Sequence, residues 1–530
     1  MMNNKRKIVI GLLVVCMILS TTSLFGCKKA PEPDMIDDNY RTFYQIFVGS
    51  FSDSNSDGIG DLRGIIERFD YLNDGDVNSK TSLGVQGLWL SPIFSSPTYH
   101  KYDATDYYKI DWRFGTEEDL KELIALCNER NVKLILDLAI NHTSTQHEWF
   151  VKFKQARMAG DTENEYYDYY SCVKTADKVG GISYQKIGGV DCWYECNFSG
   201  GMPELNFDNP EVRQKTLDIA KYYLDLGVHG FRFDAIKYIY YGDTEKSAAF
   251  WEWYMDELRS YCPDIYCVGE CWSGESEILD YYGAMNCFNF AMSQAEGTVA
   301  AAAKGFSISK YTNYIASYQD KVQAKNPDGM VMGFLSNHDM DRIAGTFVTD
   351  GNMRMAANLY LLCTGSPVIY YGEEIGMRGS RGGANTDANR RLAMLWGDDD
   401  LIKDPVGATY SADNQIKSTV AEQSEDEGSL LNYYRKLISI RHRYPAIARG
   451  DYQSLTTSHK NVGGFLIEYE GNKLGLVHNT STEEITVDLS EIKGLDGHTF
   501  AKVCDYIGMG KATLEGTTLT IGPQTSVIME

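Results

Sequence analysis

Residues 230–238 read GFRFDAIKY. The apolar and aromatic residues from 230 to 235 predict a short buried strand. Arg232 and Asp234 lie two positions apart, so both side chains point to the same side of that strand. A cation and a carboxylate at the end of an apolar strand indicate that this end carries chemistry.

Segments of the same kind recur along the chain with helix-like stretches between them. We predict eight strands, at residues 42–51, 87–93, 133–139, 230–235, 266–272, 288–292, 333–339 and 367–372. Thr116 and Asp119 form a capping box that opens one of the helices. Another helix begins at Asn209-Pro210 and stops at Gly227. Repeated βα units predict an α/β fold, a (β/α)8 TIM barrel.

Two regions depart from the repeat. Residues 142–205, after the third strand, contain many Gly, Tyr and Cys but no long helical pattern, which predicts an inserted subdomain. From residue 450 onward strands and turns alternate, which predicts an antiparallel C-terminal β-sandwich. The predicted organisation is a signal peptide (1–27), a tether (28–40), the barrel (41–141 and 206–449), inserted domain B (142–205) and the C-terminal β domain (450–530).

The N-terminus reads as an export signal. Basic residues 5–7 precede a short apolar run at 8–19, and residues 24–27 read LFGC. This ending resembles a bacterial lipobox, which implies cleavage before Cys27 and a lipid on its thiol. We therefore expect a cell-surface protein that contacts the membrane only through this anchor; plain secretion with a free Cys27 is the alternative.

Composition limits the partners. The 530 residues carry a net charge of −23, which argues against a nucleic-acid ligand, and we expect a monomer. The cysteine spacing resembles no zinc site, and Cys172, Cys192 and Cys196 are candidates for a disulfide whose pairing the sequence leaves open.

Polar residues converge on one rim of the predicted barrel. The strand ends supply Asp137, Asn141, His142, Arg232, Asp234, Glu270, His338 and Asp339. Catalytic residues of such barrels gather at the carboxyl ends of the strands. A pair of facing carboxyl groups suits glycoside hydrolysis, with one as nucleophile and the other as acid. Arg232 would keep Asp234 ionised, and crowding by Asp234 and Asp339 would raise the pKa of Glu270.

These segments resemble the α-amylase family, glycoside hydrolase family 13. The matching stretches are DLAINH (137–142), GFRFDAIKY (230–238), GECW (269–272) and FLSNHD (334–339), supported by GLWLSPIF (87–94), MPELNF (202–207) and GSPVIYYGEEIGM (365–377). The resemblance implies that Asp234 is the nucleophile, Glu270 the general acid/base and Asp339 the third carboxylate. It also places three side chains in the same subsite: Arg232, His142 and His338. The family retains anomeric configuration, so the carboxyls of Asp234 and Glu270 should lie roughly 5–5.5 Å apart.

An acidic loop, DSNSDGIGDL at residues 53–62, has the alternation of a calcium site. It is not an EF-hand, because position twelve is Gly64 and a strand precedes it. It resembles a structural Ca²⁺ site of family members, which implies five ligands: Asp53, Asn55, Asp57, the Ile59 carbonyl and Asp61. A second calcium at Asn141 stays open, because Lys237-Tyr238 replaces a frequent Lys-His pair.

Residues 99–102, Tyr-His-Lys-Tyr, indicate the substrate, because they resemble α-amylases rather than exo-acting α-glucosidases. The resemblance implies that His100 contacts the sugar, that Tyr102 stacks beneath it, and that Asp387 and Arg391 pair in that subsite. We predict internal cleavage of α-1,4 bonds in starch and maltooligosaccharides. The alternatives are an oligo-1,6-glucosidase, neopullulanase-like or α-glucosidase activity, transglycosylation, and an inactive carbohydrate-binding protein.

Overall fold

The computed structural model describes residues 38–347 and 349–530. The strands are β1 Phe43–Ile46, β2 Gly87–Leu90, β3 Phe94–Ser95, β4 Asp106–Ile110, β5 Lys133–Leu138, β6 Cys172–Val173, β7 Tyr184–Lys186, β8 Trp193–Glu195, β9 Gly230–Phe233, β10 Tyr266–Gly269, β11 Asn286–Cys287, β12 Val368–Tyr370, β13 Asp451–Thr456, β14 Val462–Tyr469, β15 Asn472–Asn479, β16 Ile485–Asp488, β17 Val503–Gly508, β18 Ala512–Glu515, β19 Thr518–Ile521 and β20 Thr525–Met529.

The α-helices are α1 Leu62–Glu67, α2 Phe69–Leu72, α3 Glu117–Glu129, α4 Glu148–Ala159, α5 Pro210–Leu226, α6 Thr244–Tyr261, α7 Glu275–Asp280, α8 Thr298–Ala303, α9 Ile308–Lys325, α10 Asp350–Leu361, α11 Val420–Glu425, α12 Leu430–Arg443 and α13 Ala446–Arg449. Short 3-10 turns occupy Val48–Ser50, Thr175–Asp177, Ile236–Tyr238, Ile343–Thr346, Glu373–Ile375, Asp387–Arg390 and Leu489–Glu491. No helix in the described ranges is long and apolar enough to cross a bilayer.

A parallel sheet forms the barrel. Its seven strands run in the order β11-β10-β9-β5-β2-β1-β12. Residues 332–334 close the ring, because Met332 bridges Phe288 and Phe334 bridges Val368, both in parallel. The predicted (β/α)8 fold is confirmed. The sixth strand ends at Cys287, so the predicted range 288–292 was wrong, and the seventh strand is reduced to these two bridges.

Local signals define the helices between the strands. Thr116 and Asp119 form the predicted capping box ahead of α3. Asn209 caps α5 through a bond from the Glu211 N–H, and Gly227 ends it at φ +100. Glycine accepts that left-handed backbone without steric cost. Both predicted helices are therefore confirmed.

Domain B leaves the barrel after β5. Its core is the antiparallel sheet β6-β8-β7, and a disulfide joins Cys172 to Cys192 with 5.9 Å between their Cα atoms. Cys196 stays free and buried. The expectation of no long helix was wrong, because the twelve-residue α4 lies here. His147 caps this helix and Gly160 ends it. Its apolar residues do not repeat with a clear helical period, so the sequence pattern did not predict it.

The C-terminal part is a pair of antiparallel sheets. The larger has the order β13-β14-β15-β20-β17 and the smaller β16-β19-β18. Side chains from both sheets, including Val477, Leu519 and Val527, form an apolar core. The predicted β-sandwich is confirmed, because inward apolar residues alternate along these strands.

Candidate active site

Arg232 stands at the centre of the site. It projects from β9, is fully buried, and donates from Nη1 to Asp137 Oδ1 at 2.8 Å and to Asp234 Oδ1 at 2.6 Å. Its Nη2 lies 3.8 Å from Glu270 Oε2. One guanidinium therefore links the carboxyl ends of β5, β9 and β10. Burial raises the pKa of Asp137 to about 6, and the charge of Arg232 opposes that rise.

Glu270 has the pKa expected of a proton donor near neutral pH. Burial raises the pKa of Glu270 to about 7, and the neighbouring Asp234 and Asp339 add to the rise, while Arg232 opposes it. Crowding was the predicted cause, so that prediction was incomplete: desolvation is the larger effect. A carboxyl with such a pKa holds its proton near neutral pH, as a general acid requires.

A backbone group missing from the sequence-based site also contacts Glu270. The Ala235 N–H donates to Glu270 Oε2 at 2.9 Å. Ala235 has φ +45, which is rare for a residue with a side chain. This conformation turns the peptide that follows Asp234 toward Glu270. No side-chain pattern in the sequence signals a backbone donor.

Asp339 is held by two side chains other than Arg232. Arg391 Nη2 donates to its Oδ1 at 2.7 Å, and His338 Nε2 lies 3.0 Å from its Oδ2. Burial alone would raise the pKa of Asp339, but His338 and Arg391 lower it below its usual range. Asp339 is therefore an anionic group, in contrast to Glu270.

Tyr102 connects Asp137 with His338. Its hydroxyl lies 2.8 Å from Asp137 Oδ2 and 2.6 Å from His338 Nε2, and its ring stacks on His338 at 5.4 Å. Gln45 Nε2 lies 2.7 Å from His338 Nδ1, and Trp89 Nε1 donates to Asp137 at 3.1 Å. Gln45 and Trp89 are absent from the predicted site, because only the closed barrel brings β1 and β2 beside these groups.

The two remaining histidines are neutral polar groups. Burial lowers the pKa of His142, and His142 Nε2 lies 3.1 Å from the Tyr102 carbonyl oxygen. Burial, with the charge of Arg391, lowers the pKa of His100 to about 4. His100 Nδ1 accepts from the Tyr102 N–H at 3.2 Å. Both predicted residues thus lie against Tyr102.

The predicted pair of Asp387 and Arg391 is not formed. Arg391 bonds Asp339, whereas Asp387 Oδ1 lies 3.0 Å from Arg390 Nη1 and 3.1 Å from Arg381 Nε. Two adjacent arginines compete for one acid, and the sequence cannot choose between them. The Asp387 side chain is 39 % exposed.

The acidic loop folds around its own backbone. The carboxyl of Asp53 accepts from the Gly58 N–H at 2.6 Å, Asp57 accepts from Ile59, and Asp61 caps α1 through the Gly64 N–H. Asn55 donates to Asp61 at 3.3 Å. Carboxylate, amide and carbonyl oxygens fit calcium. Within residues 38–347 and 349–530, no three acidic, histidine or cysteine side chains are arranged to hold a metal ion.

Cys27, the predicted lipidation site, lies outside the described residues.

A parallel barrel whose strand ends bring four carboxyl groups and Arg232 together, with Arg391 bonded to Asp339, is the architecture of a barrel glycoside hydrolase. The model of the alpha amylase catalytic domain matches residues 45–450. The chain is 36 % identical to Alpha-amylase 3 of Dictyoglomus thermophilum, over 92 % of both chains. It is 28 % identical to the Oligo-1,6-glucosidase of Bacillus cereus, over 84 % of this chain and 91 % of that one. The solved structure of Eubacterium rectale Amy13B superposes with a TM-score of 0.85 at 34 % identity, covering 94 % of this chain and 97 % of that one. The chain belongs to the α-amylase family and is a glycoside hydrolase.

Proposed function

We propose that the protein is an endo-acting α-amylase that cleaves internal α-1,4 bonds of starch and maltooligosaccharides with retention of configuration. One observation carries this proposal. Arg232 bonds Asp234 at 2.6 Å, while the adjacent Glu270 has its pKa raised to about 7. A carboxyl group bonded to a guanidinium, beside a second carboxyl group that keeps its proton near neutral pH, supplies the nucleophile and the acid that glycoside hydrolysis needs.

In the proposed reaction Asp234 attacks the anomeric carbon while Glu270 gives its proton to the departing glycosidic oxygen. The C–O bond to the leaving sugar breaks as the Asp234 ester forms. Glu270, now ionised, takes a proton from water, whose oxygen attacks the same carbon and releases Asp234. Both steps pass through an oxocarbenium-like state that anionic Asp339 stabilises.

The other side chains would hold the sugar. Asp339 and Arg391 would offer an acceptor and a donor for ring hydroxyls, and 38 % of the Asp339 side chain stays exposed beside their contact. The proposed contacts of His100 and His142 are neutral hydrogen bonds, since burial lowers both pKa values. Tyr102 would present its ring beneath the sugar while Asp137 and His338 hold its hydroxyl.

Two observations favour an endo-acting α-1,4 specificity. Residues 99–102 read Tyr-His-Lys-Tyr, as in the α-amylases that they resemble, whereas exo-acting α-glucosidases tend to have Asp-Asn-Gly-Tyr there. The relative that shares 36 % identity over 92 % of the chain is named an α-amylase. The 28 % identity to an oligo-1,6-glucosidase supports the second candidate, α-1,6 cleavage of short oligosaccharides.

The test of specificity uses residues 28–530 with amylose, maltoheptaose and panose, and Asp234→Asn as the blank. We expect iodine colour of amylose to fall early while mixed maltooligosaccharides appear. Glucose as the first product, with panose cleaved and amylose untouched, would replace the proposal by the α-1,6 alternative. A lack of turnover on all three substrates would favour an inactive binding protein.

We also propose that the loop of Asp53, Asn55, Asp57, Ile59 and Asp61 holds a structural Ca²⁺. A bound cation would neutralise carboxylates that otherwise repel one another beside α1. Adding calcium after chelation should raise the melting temperature of the wild-type chain but not of Asp53→Ala. Equal calcium responses of the two proteins would refute the site. The control is Asp413→Ala, an exposed acid outside the loop.

Localisation is proposed from the sequence alone. Lipid attached to Cys27 would hold the enzyme at the cell surface, where polymeric starch is available. Expression in a bacterium with a radiolabelled fatty acid should label the wild type but not Cys27→Ser. Label in neither protein, with activity in the medium, would show plain secretion instead.

A further inference from the structure

The turn that carries His100 and Tyr102 has an unusual residue between them. Lys101 has φ +68, in the left-handed region that normally favours glycine, and only 2 % of it is exposed. A buried lysine in such a conformation needs compensation from its surroundings. Strained backbone of this kind points to a constraint on the groups next to it.

The compensation is a buried ion pair. Lys101 Nζ lies 2.9 Å from Asp111 Oδ2, and both side chains are 2 % exposed. The ammonium also lies 5.2 Å from the centre of the Phe114 ring. Arg113 Nε donates to the other Asp111 oxygen at 2.8 Å. The Lys101 side chain is therefore anchored to the segment that follows β4, away from the cleft.

The neighbours of Lys101 are aimed the other way. The Tyr102 hydroxyl contacts Asp137 and His338, and the Tyr102 N–H donates to His100 Nδ1. Three consecutive side chains thus divide between two sides of the turn. Any relaxation of Lys101 toward ordinary dihedral angles would rotate both flanking side chains together.

We propose that Lys101 is a positioning residue, whose ion pair with Asp111 holds the turn in the left-handed conformation that directs His100 and Tyr102 into the cleft. This inference rests on the proposed substrate contacts of His100 and Tyr102. The ammonium itself does not touch the substrate. Its effect passes through the backbone of the turn.

Replacing Lys101 by methionine keeps the length of the side chain and removes the charge. We expect kcat/KM on maltoheptaose to fall by at least tenfold while the far-ultraviolet circular dichroism stays unchanged. Lys109→Met is the matched control, because Lys109 also pairs with an aspartate, Asp106, but is 74 % exposed. It should keep kcat/KM within twofold. An unchanged Lys101→Met enzyme would overturn the proposal.

A double-mutant cycle separates positioning from general support of the fold. In a His100→Ala background the further change Lys101→Met should cost less than it does in the wild type, because only Tyr102 remains to be positioned. Equal losses in both backgrounds would contradict the positioning of His100. Lys101→Gly is the second variant if the methionine variant does not fold, since glycine accepts φ +68 but leaves no ion pair to hold the turn there. It should also lose at least tenfold; full activity would show that the turn keeps its conformation without the ion pair and would refute the proposal.

Substrate identity does not limit the test. If the wild type prefers panose to maltoheptaose, the proposed specificity fails, but the ratio of variant to wild type on panose still measures positioning. Calorimetric binding of maltoheptaose to Glu270→Gln, with and without Lys101→Met, gives a readout without turnover. We expect Kd to rise by about fivefold or more; an unchanged Kd would contradict the inference.

Discussion

The carboxyl end of the barrel and the C-terminal β domain bury polar groups in opposite ways. The barrel end encloses Arg232 and Asp137 with no exposed surface, and Glu270 with 9 %. In residues 450–530, all of which the structure describes, the buried polar groups are amides, hydroxyls and His478. Burial lowers the pKa of His478 to about 3, so this group is neutral as well.

The difference separates chemistry from folding. Burying charge costs free energy that replacement by apolar groups would avoid, and at the barrel end that cost is met where Arg232, Asp137 and Glu270 lie together. The C-terminal domain avoids that cost and relies on an apolar core. Substitutions at the barrel end should therefore change activity more than stability, and substitutions in the C-terminal core should do the reverse.

The largest expected effect is the loss of catalysis in Asp234→Asn. The amide cannot form the glycosyl ester, so kcat should fall by at least about 10³-fold on amylose. Thermal unfolding followed by circular dichroism should show a folded protein. Asp256→Asn, an exposed acid of α6, is the control and should match the wild type. Activity above a tenth of wild type would contradict the assignment of Asp234.

The pH profile should show the raised pKa of Glu270. The acid must be protonated to act, so kcat/KM should fall about tenfold per pH unit above about pH 7. Initial rates on maltoheptaose between pH 4 and pH 9 measure this limb. A plateau that extends to pH 9 would show that Glu270 is not the proton donor.

In the C-terminal domain, Leu519→Ala should act on stability. Leu519 is fully buried between Val487 and Leu514 on neighbouring strands. Its truncation should lower the free energy of unfolding by about 3 kcal/mol, with kcat at 25 °C within twofold. The half-buried Leu514→Ala should cost less. A loss of kcat in the folded variant would break the separation between the two regions.

A smaller effect is expected from Glu373, at the end of β12. Burial raises the pKa of Glu373 to about 8, with Glu374 adding to the rise, while Tyr360 and Tyr434 donate to its carboxyl. Because the folded state favours the protonated form, its stabilising contribution is complete below about pH 4.5 and is lost as pH rises toward 8. Glu373→Gln should flatten the fall of the melting temperature between pH 5 and pH 8. If the melting temperature of Glu373→Gln falls with pH as steeply as that of the wild type, a group other than Glu373 causes the pH dependence.

The sequence correctly predicted contacts between residues that lie a few positions apart in the chain. Arg232 and Asp234, two positions apart on a strand, were correctly placed on one side, and the capping box of α3 was confirmed. The sequence did not predict contacts between segments that are far apart in the chain. Gln45 is 293 residues from His338, and only barrel closure brings the two together. It also failed where adjacent residues are chemically alike, since Arg390 rather than Arg391 pairs with Asp387.

Covalent trapping of the glycosyl-enzyme ester would identify the nucleophile. The full chain would be incubated with 5-fluoro-α-glucosyl fluoride, which slows release of a glycosyl-enzyme ester, then digested with pepsin and examined by mass spectrometry. With Asp234 as the nucleophile, we expect one added fluoroglucosyl group, on the peptide that contains Asp234. A label on Glu270 or Asp339, with Asp234 unmodified, would contradict it.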